Sequence, residues 1–405
     1  MENKKIPVLC SQEHCTACAA CYNVCPKRAI TMQEDTHGEI FPIVNESLCI
    51  GCGKCERVCP EMNVDRLERN GKPEVYCCWL KDVNVRRNST SGGAAYAISA
   101  AIIKKGGHVW GAAYDKDMYV RYTEANNLEE LEPIQKSKYV QSAVGEAFLK
   151  IKQELDNGDY VLFAGTGCHV KGLRSFLEKN YPKLYTLDLV CHGVPGQGVF
   201  QKYKRWAEEK YDIKMTDFVP RPKRNDGNEL GYYSLIKSEN GGCIKMECLD
   251  NSYFVGFQRN LFLRSACHDC KANGEQRFSD FTVADFWGLG KVEPFNDYKQ
   301  RTLGISMLAL NSVKAKALFP DISVWLNCQK RSYKEASISN HQYYKSAVPS
   351  PRRNEFRDDY ERMSWDALAD KYMRFNKKDL VLYGIKKFTP PHLLLHVKLL
   401  AKWIK

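Results

Sequence analysis

CTACAACYNVCP occupies residues 15–26, and CIGCGKCERVCP occupies residues 49–60. Both stretches read C-x2-C-x2-C-x3-C-P, and the second repeats the first 34 residues later. With this spacing, three thiolates on one loop bind three iron corners of a 4Fe–4S cubane, and the fourth thiolate comes from the other run. The repeat therefore predicts a bacterial-type ferredoxin domain over residues 1–70 that binds two 4Fe–4S clusters.

The crossed pattern assigns four cysteines to each cluster. Zinc is the alternative for paired cysteines, but it favours closed sites built from C-x2-C pairs rather than two runs that each end in Cys-Pro. Cys10 precedes the repeat and is expected not to be a ligand. The predicted ligands are Cys15, Cys18, Cys21 and Cys59 for one cluster, and Cys25, Cys49, Cys52 and Cys55 for the other.

The composition indicates a soluble globular protein, since 44% of the 405 residues are apolar and 27% are charged. Nine of the 18 cysteines precede residue 60, which is unlike the even spread of a secreted disulfide scaffold. The net charge of +12 is partly offset by clusters that carry about −2 each, so no nucleic-acid partner is expected. The sequence lacks a membrane-length apolar run and a signal-peptide core, which predicts a cytoplasmic location.

Beyond the cysteine repeat, strand-like runs alternate with helical patterns. VYCCWL at 75–80, YVLFA at 160–164 and LYTLDLV at 184–190 are separated by amphipathic segments, which favours βαβ units. We predict an α/β body with a mainly parallel sheet in two parts, 71–160 and 161–330. A helical extension over 331–405 ends in a basic amphipathic segment, which either packs on its own domain or makes weak contact with a membrane surface.

The segment STSGGAAYAISAAIIKKGG at 89–107 places hydroxyl residues and two glycines at the start of a predicted helix. Exposed N–H groups and the helix dipole at such a start suit a phosphate. Ser and Thr before a helix more often serve only as N-caps, so this alternative stays open.

Five further motifs follow in order: KSKYVQS at 136–142, FAGTGCHVKGL at 163–173, DLVCHGVP at 188–195, CHDC at 267–270 and SDFTVADFWG at 279–288. With the cysteine repeat, they resemble the coenzyme F420 hydrogenase/dehydrogenase beta-subunit family, which reduces or oxidises a deazaflavin coenzyme through a flavin. The similarity extends to about residue 330.

The resemblance implies FAD, a third 4Fe–4S cluster beside it, and flavin contacts from Ser91, Gly92, Gly93, Lys138 and Tyr139. The candidate ligands of the third cluster are Cys168, Cys191, Cys267 and Cys270. Cys168 and Cys191 each follow a predicted strand, where ligands gather in open α/β sheets. A structural zinc site at CHDC remains the alternative, and Gly167 stands where the family commonly has proline before the cysteine.

Asp285 is a candidate polar contact to the flavin, or else a turn aspartate, and no catalytic residue is assigned. His192 follows a candidate ligand and either shuttles a proton or fixes the turn. We expect an iron–sulfur flavoprotein oxidoreductase that passes electrons between a ferredoxin-like donor protein, its clusters, FAD and a small two-electron acceptor. That acceptor is a deazaflavin-type coenzyme or another organic substrate. The alternatives are an electron-relay subunit that docks on a catalytic subunit of a larger redox complex, and a cofactor-poor ferredoxin-type sensor or binding protein.

Overall fold

The computed structural model describes residues 5–223, 233–247 and 249–375. Its N-terminal domain pairs two antiparallel strands with two short helices. The two cysteine loops have matching backbones, because Ala17 and Ala19 (φ 51° and 57°) correspond to Gly51 and Gly53 (φ 69° at both). These left-handed positions turn each loop around its thiols. The elements are α1 (Ala20–Val24), β1 (Ile30–Glu34), β2 (Ile40–Val44) and α2 (Lys54–Arg57).

The remaining strands and helices alternate through most of the body. The strands are β3 (Glu74–Leu80), β4 (His108–Tyr114), β5 (Val120–Ala125), β6 (Val161–Thr166), β7 (Leu184–Leu189), β8 (Met215–Val219), β9 (Tyr233–Ser238), β10 (Cys243–Glu247), β11 (Phe281–Asp285), β12 (Ser306–Leu310) and β13 (Leu326–Arg331). The helices are α3 (Val83–Arg87), α4 (Ala94–Ile103), α5 (Ala147–Asp156), α6 (Gly167–Leu177), α7 (Gln197–Tyr211), α8 (Ser252–Gln258), α9 (Val313–Ser323), α10 (Tyr333–Ser337), α11 (Arg353–Tyr360) and α12 (Trp365–Tyr372).

One large sheet forms the centre of the body, with strand order β13-β3-β12-β11-β7-β6-β4-β5. The four central strands β11, β7, β6 and β4 are parallel to one another, as the alternating pattern predicts. Antiparallel strands flank them on both sides, with β5 on β4 and with β12, β3 and β13 beyond β11. The mixed α/β sheet thus draws its strands from both predicted parts of the body.

Helices cover both faces of this sheet. Apolar side chains of α4 and α9 pack on one face, and those of α5 and α6 pack on the other. The ferredoxin domain lies against α6, where a Cβ on Gly172 would lie 2.5 Å from Cys18 Cβ. Glycine at this position lets the helix approach the first cysteine loop.

A second, smaller sheet has the order β10-β9-β8 and packs its apolar side against α7, α8, α11 and α12. The predicted hairpin around Glu239–Gly242 is present between β9 and β10. The basic C-terminal segment lies outside the described residues. Among the residues that are described, no helix is long and apolar enough to span a membrane.

Candidate functional site

The cysteines of the ferredoxin domain line two neighbouring cavities. The first ferredoxin cavity holds the set predicted from the crossed pattern: Cys15, Cys18, Cys21 and Cys59. The second ferredoxin cavity is lined by Cys25, Cys49, Cys52 and Cys55. Cys55 contributes to the wall of both, so the two cavities adjoin.

Backbone N–H groups point at sulfur atoms in both loops. Ala17 N lies 3.4 Å from Cys15 Sγ, Ala29 N lies 3.2 Å from Cys25 Sγ, and Gly51 N lies 3.4 Å from Cys49 Sγ. Hydrogen bonds to ligand sulfurs stabilise an anionic iron–sulfur cluster. The residues present therefore fit two 4Fe–4S clusters.

Cys10 also lines the first ferredoxin cavity. A hydrogen bond between the Cys10 and Cys59 thiols lowers the pKa of Cys59 to about 7. Cys10 therefore lies beside the predicted ligand Cys59. Its position outside the repeat gives no sign of this contact.

The four body cysteines line one further cavity, the third cysteine cavity. Cys168 is the second residue of α6, directly after β6, and Cys191 follows β7. Cys267 and Cys270 come from a short 3-10 turn and its end. The sheet thus brings together thiols that are up to 102 positions apart in the chain.

Burial raises the pKa of the Cys168, Cys191 and Cys267 thiols, which favours their protonated form when no metal is bound. Burial and the neighbouring Cys270 raise the pKa of Cys168 to about 12, and burial raises the pKa of Cys191 to about 11. Donors already face the sulfurs, since Gly193 N lies 3.3 Å from Cys191 Sγ and Val194 N lies 3.5 Å from Cys267 Sγ. The donor set fits an anionic cluster that binds thiolates.

The spacing of the thiols also bears on the zinc alternative. Four thiolates at about 2.3 Å from one zinc ion would lie within about 4 Å of one another. In the described part of the chain, three candidate ligand atoms within 4.8 Å of one another occur at His108, Glu124 and Glu154, not at the cysteines. The wider spacing of the thiols suits the separate iron corners of a cubane better than a single ion.

Gly167, which directly precedes Cys168, is closely packed. A Cβ at this position would lie 2.9 Å from Ala272 Cβ and 3.1 Å from Asp188 Oδ2. The glycine thereby allows the start of α6, with Cys168, to approach the loop that follows Cys270.

The third cysteine cavity shares a wall with the first ferredoxin cavity. Thr16 and Glu61 line both. The three cysteine-lined cavities therefore follow one another without an intervening layer of the sheet.

The residues predicted to contact FAD gather around two cations. Arg221 Nη2 donates to Asp285 Oδ2 at 3.1 Å, and Arg221 Nη1 lies 3.5 Å from Tyr139 Oη. Lys223 Nζ donates to the backbone oxygen of Ser91 at 2.5 Å. We call the surface formed by Ser91, Tyr139, Arg221, Lys223 and Asp285 the Arg221 cleft.

Three of the predicted flavin contacts have structural roles of their own. A Cβ on Gly92 would lie 2.3 Å from the Cys78 backbone oxygen, and one on Gly93 would lie 2.3 Å from Leu80 Cδ1. Close packing of α4 on β3 therefore accounts for both glycines without a ligand. Lys138 Nζ donates to the backbone oxygens at positions 133 and 135. The residue of this segment that contacts Arg221 is Tyr139.

Arg221 and Lys223 carry no motif and were missed by the sequence patterns. Burial and the nearby Arg86 lower the pKa of Lys223 to about 7. The Arg221 guanidinium lies 5.0 Å from the ring centre of Trp287. Cations beside aromatic rings and a helix start form a donor set that fits an anionic aromatic group such as FAD.

Aromatic rings connect the Arg221 cleft with the third cysteine cavity. The Tyr139 ring stacks on Phe257 at 4.7 Å, and the His192 ring lies 5.1 Å from Phe257. His192 Nε2 lies 2.6 Å from Asn260 Oδ1, and burial lowers the pKa of the imidazole. His192 thus contacts Phe257 with its ring and directly follows the candidate ligand Cys191 in the chain.

Comparisons with known proteins match two regions of the chain. Residues 14–64 match the model of a 4Fe–4S dicluster domain, and residues 158–330 match the model of the C-terminal region of the coenzyme F420 hydrogenase/dehydrogenase beta subunit. No curated protein matches. A solved structure of the F420-reducing nickel–iron hydrogenase complex from Methanosarcina barkeri is similar at 14% identity and a TM-score of 0.43, covering 80% of this chain and 95% of that chain.

Proposed function

Because the chain joins a 4Fe–4S dicluster domain to the C-terminal domain of the coenzyme F420 hydrogenase/dehydrogenase beta-subunit family, we propose that it is an iron–sulfur flavoprotein oxidoreductase. It passes electrons between a ferredoxin-like donor protein and a small two-electron acceptor. Bound clusters supply one-electron transfer, and bound FAD converts one-electron steps into a two-electron reaction.

The observation that carries this proposal is the continuous series of sites. Cys55 is shared by the two ferredoxin cavities, Glu61 is shared by the first ferredoxin cavity and the third cysteine cavity, and the rings of His192, Phe257 and Tyr139 lead on to the Arg221 cleft. Such a series keeps each site next to the following one, as one-electron transfer requires.

Each residue set has a separate task in this proposal. The twelve thiolates would hold three clusters, and the N–H groups that face the sulfurs would stabilise their negative charge. Lys223 and the start of α4 would bind phosphate, while Tyr139 and Trp287 would contact the ring system. An anionic deazaflavin-type coenzyme or another organic acceptor would approach from the side of the exposed Trp287.

The test is the iron and flavin content of protein purified without oxygen. We expect about 12 iron atoms per chain, four for each of three clusters, and about one FAD. About 8 iron atoms and no flavin, after attempted reconstitution with both, would contradict the proposal and favour a ferredoxin-type sensor or binding protein.

The electron-relay alternative is favoured by one observation. Trp287, which stacks on Arg221, is 44% exposed, so the Arg221 cleft is open enough for a partner protein to cover it. Reduction of deazaflavin or another organic acceptor by the isolated chain with a viologen donor would exclude the relay role. Loaded protein that accepts electrons but reduces none of these acceptors would support it.

A further inference from the structure

An ion pair lies inside the wall between the first ferredoxin cavity and the third cysteine cavity. Lys171 Nζ lies 2.8 Å from Glu61 Oε1, and their side chains are 0% and 8% exposed. Glu61 is two residues after Cys59, and Lys171 is three residues after Cys168. Each partner is therefore close in sequence to a predicted ligand of a different cavity.

Glu61 lies at the boundary of both cavities. It lines the first ferredoxin cavity together with Cys59 and the third cysteine cavity together with Cys168. Thr16 is the other residue that lines both cavities, and it carries no charge. The ion pair is thus one charged component of the shared wall, together with Arg264, which lines the third cysteine cavity and donates to the backbone oxygen of Cys15 at 2.6 Å.

A buried pair of this kind is a poor device for stability alone. Removing the two charges from water costs several kcal/mol per ion. The attraction between them contributes a stabilising free energy of roughly the same size. The same low-dielectric surroundings make each charge act strongly on its neighbours. Reduction adds one negative charge to a cluster, so a nearby carboxylate disfavours it and a nearby ammonium favours it.

We infer that Glu61 and Lys171 are positioning residues that set the reduction potentials of the groups bound in the two adjoining cavities, relative to the cluster of the second ferredoxin cavity. The inference rests on the proposed function, since it requires a cluster in the third cysteine cavity. Glu61 lines both cavities, whereas Lys171 belongs to α6, which carries Cys168. The pair would therefore bias electron transfer between the second ferredoxin cavity and the two cavities that share the wall.

The experiment is a redox titration of the loaded protein followed by electron paramagnetic resonance, with cluster content measured first. Glu61→Gln should raise the potentials of both flanking clusters, and Lys171→Met should lower them. For each flanking cluster, we expect the reduced-to-oxidised ratio at its wild-type midpoint potential to change roughly tenfold, given an effective dielectric constant of about 20. The cluster of the second ferredoxin cavity is the internal control and should not shift.

Two kinds of variant keep the result interpretable. Glu61→Asp and Lys171→Arg keep the charges, and their clusters should have reduction potentials close to those of the wild type. These variants also serve where a neutral variant does not fold. The matched control is Lys179→Met, because Lys179 lies just beyond α6 with a side chain 61% exposed. Its removal should leave all potentials unchanged.

Unchanged potentials in both neutral variants would overturn the inference. Shifts in the charge-conserving variants as large as those in the neutral variants would overturn it too. If the wild type binds three clusters, either of these outcomes leaves the proposed function intact. A wild type that binds only two clusters would instead refute the proposed function, and the inference with it.

Discussion

Arg264 Nε donates a hydrogen bond to the backbone oxygen of Cys15 at 2.6 Å. The arginine is 1% exposed, and its guanidinium lies 4.2 Å from the ring centre of Phe41. Nη1 reaches Gln141 Oε1 at 3.1 Å. One side chain from the body thereby ties together the first cysteine loop, the β1–β2 hairpin and the segment that carries Tyr139.

Arg264→Met should lower the free energy of unfolding by about 2–4 kcal/mol, because it leaves the Cys15 oxygen and the Gln141 amide buried without their donor. Thermal and denaturant unfolding of the wild type and the variant measure this difference. Arg362→Met is the control, since the Arg362 side chain is 73% exposed and its loss should cost less than about 0.5 kcal/mol. Equal stability of Arg264→Met and the wild type would refute the tie.

Cys267→Ser should remove the cluster of the third cysteine cavity and leave the two ferredoxin clusters in place. The expected loss is about four iron atoms per chain, because serine is a poor replacement for a thiolate ligand. Iron analysis and low-temperature spectra measure the change. The control is Cys243→Ser, which removes an exposed thiol on β10 and should retain all the iron. Loss of the ferredoxin-cluster signals in Cys267→Ser would contradict the assignment.

FAD binding should weaken as the pH rises through about 7. The pKa of Lys223 is lowered to about 7, so its ammonium is present below that pH and lost above it, whereas phosphate binding requires the charged form. We expect affinity at pH 8.5 to be roughly tenfold lower than at pH 6, measured by flavin fluorescence.

Lys223→Met should bind FAD weakly at both pH values and lose most of this dependence. Lys330→Met, which removes a lysine side chain that is 67% exposed on β13, should behave like the wild type. A wild-type profile that is flat between pH 6 and pH 8.5 would remove Lys223 from the phosphate site.

Reduction by an acidic one-electron carrier should depend on the surface at the second ferredoxin cavity. Cys52 is exposed there, Ile50 is 53% exposed, and Lys27 and Lys54 belong to the same rim. Lys27→Glu combined with Lys54→Glu should slow reduction by a bacterial ferredoxin about tenfold at low salt, and less at high salt, because surface charges steer association and salt screens them. Stopped-flow absorbance measures the rate.

The control for this reversal is Lys334→Glu on α10, which lies outside the ferredoxin domain. At high salt, which screens the charge of the dithionite anion, reduction by dithionite should proceed at the same rate in all three proteins. Slower reduction by dithionite in the double variant under these conditions would indicate damage to the cluster rather than lost docking.

The sequence predicts best where chemistry requires a fixed spacing. The two cysteine runs predict both ferredoxin cavities, including the exchange of Cys25 and Cys59, and the strand-end positions of Cys168 and Cys191 anticipate a shared cavity. The central parallel strands follow from the alternation of strand and helix patterns. These features depend on local spacing and periodicity, which a single sequence contains.

The sequence predicts poorly where a side chain acts through a distant partner. Arg221 and Lys223 are single cations without a motif, and Lys171 stands in a motif quoted for its cysteine. Only the fold shows that these cations face Asp285, Ser91 and Glu61. Gly92 and Gly93 illustrate the opposite difficulty, because a pattern typical of phosphate loops is also what tight packing of α4 on β3 requires.

The contact between Gly172 and Cys18 has a consequence for how such proteins can be recombined. A side chain at position 172 would collide with the cysteine loop, so α6 fits only a ferredoxin unit that comes equally close at this point. A chimera with a foreign ferredoxin would need the facing helix to be exchanged with it. At this contact the two units are therefore complementary in shape, although each has its own sequence signature.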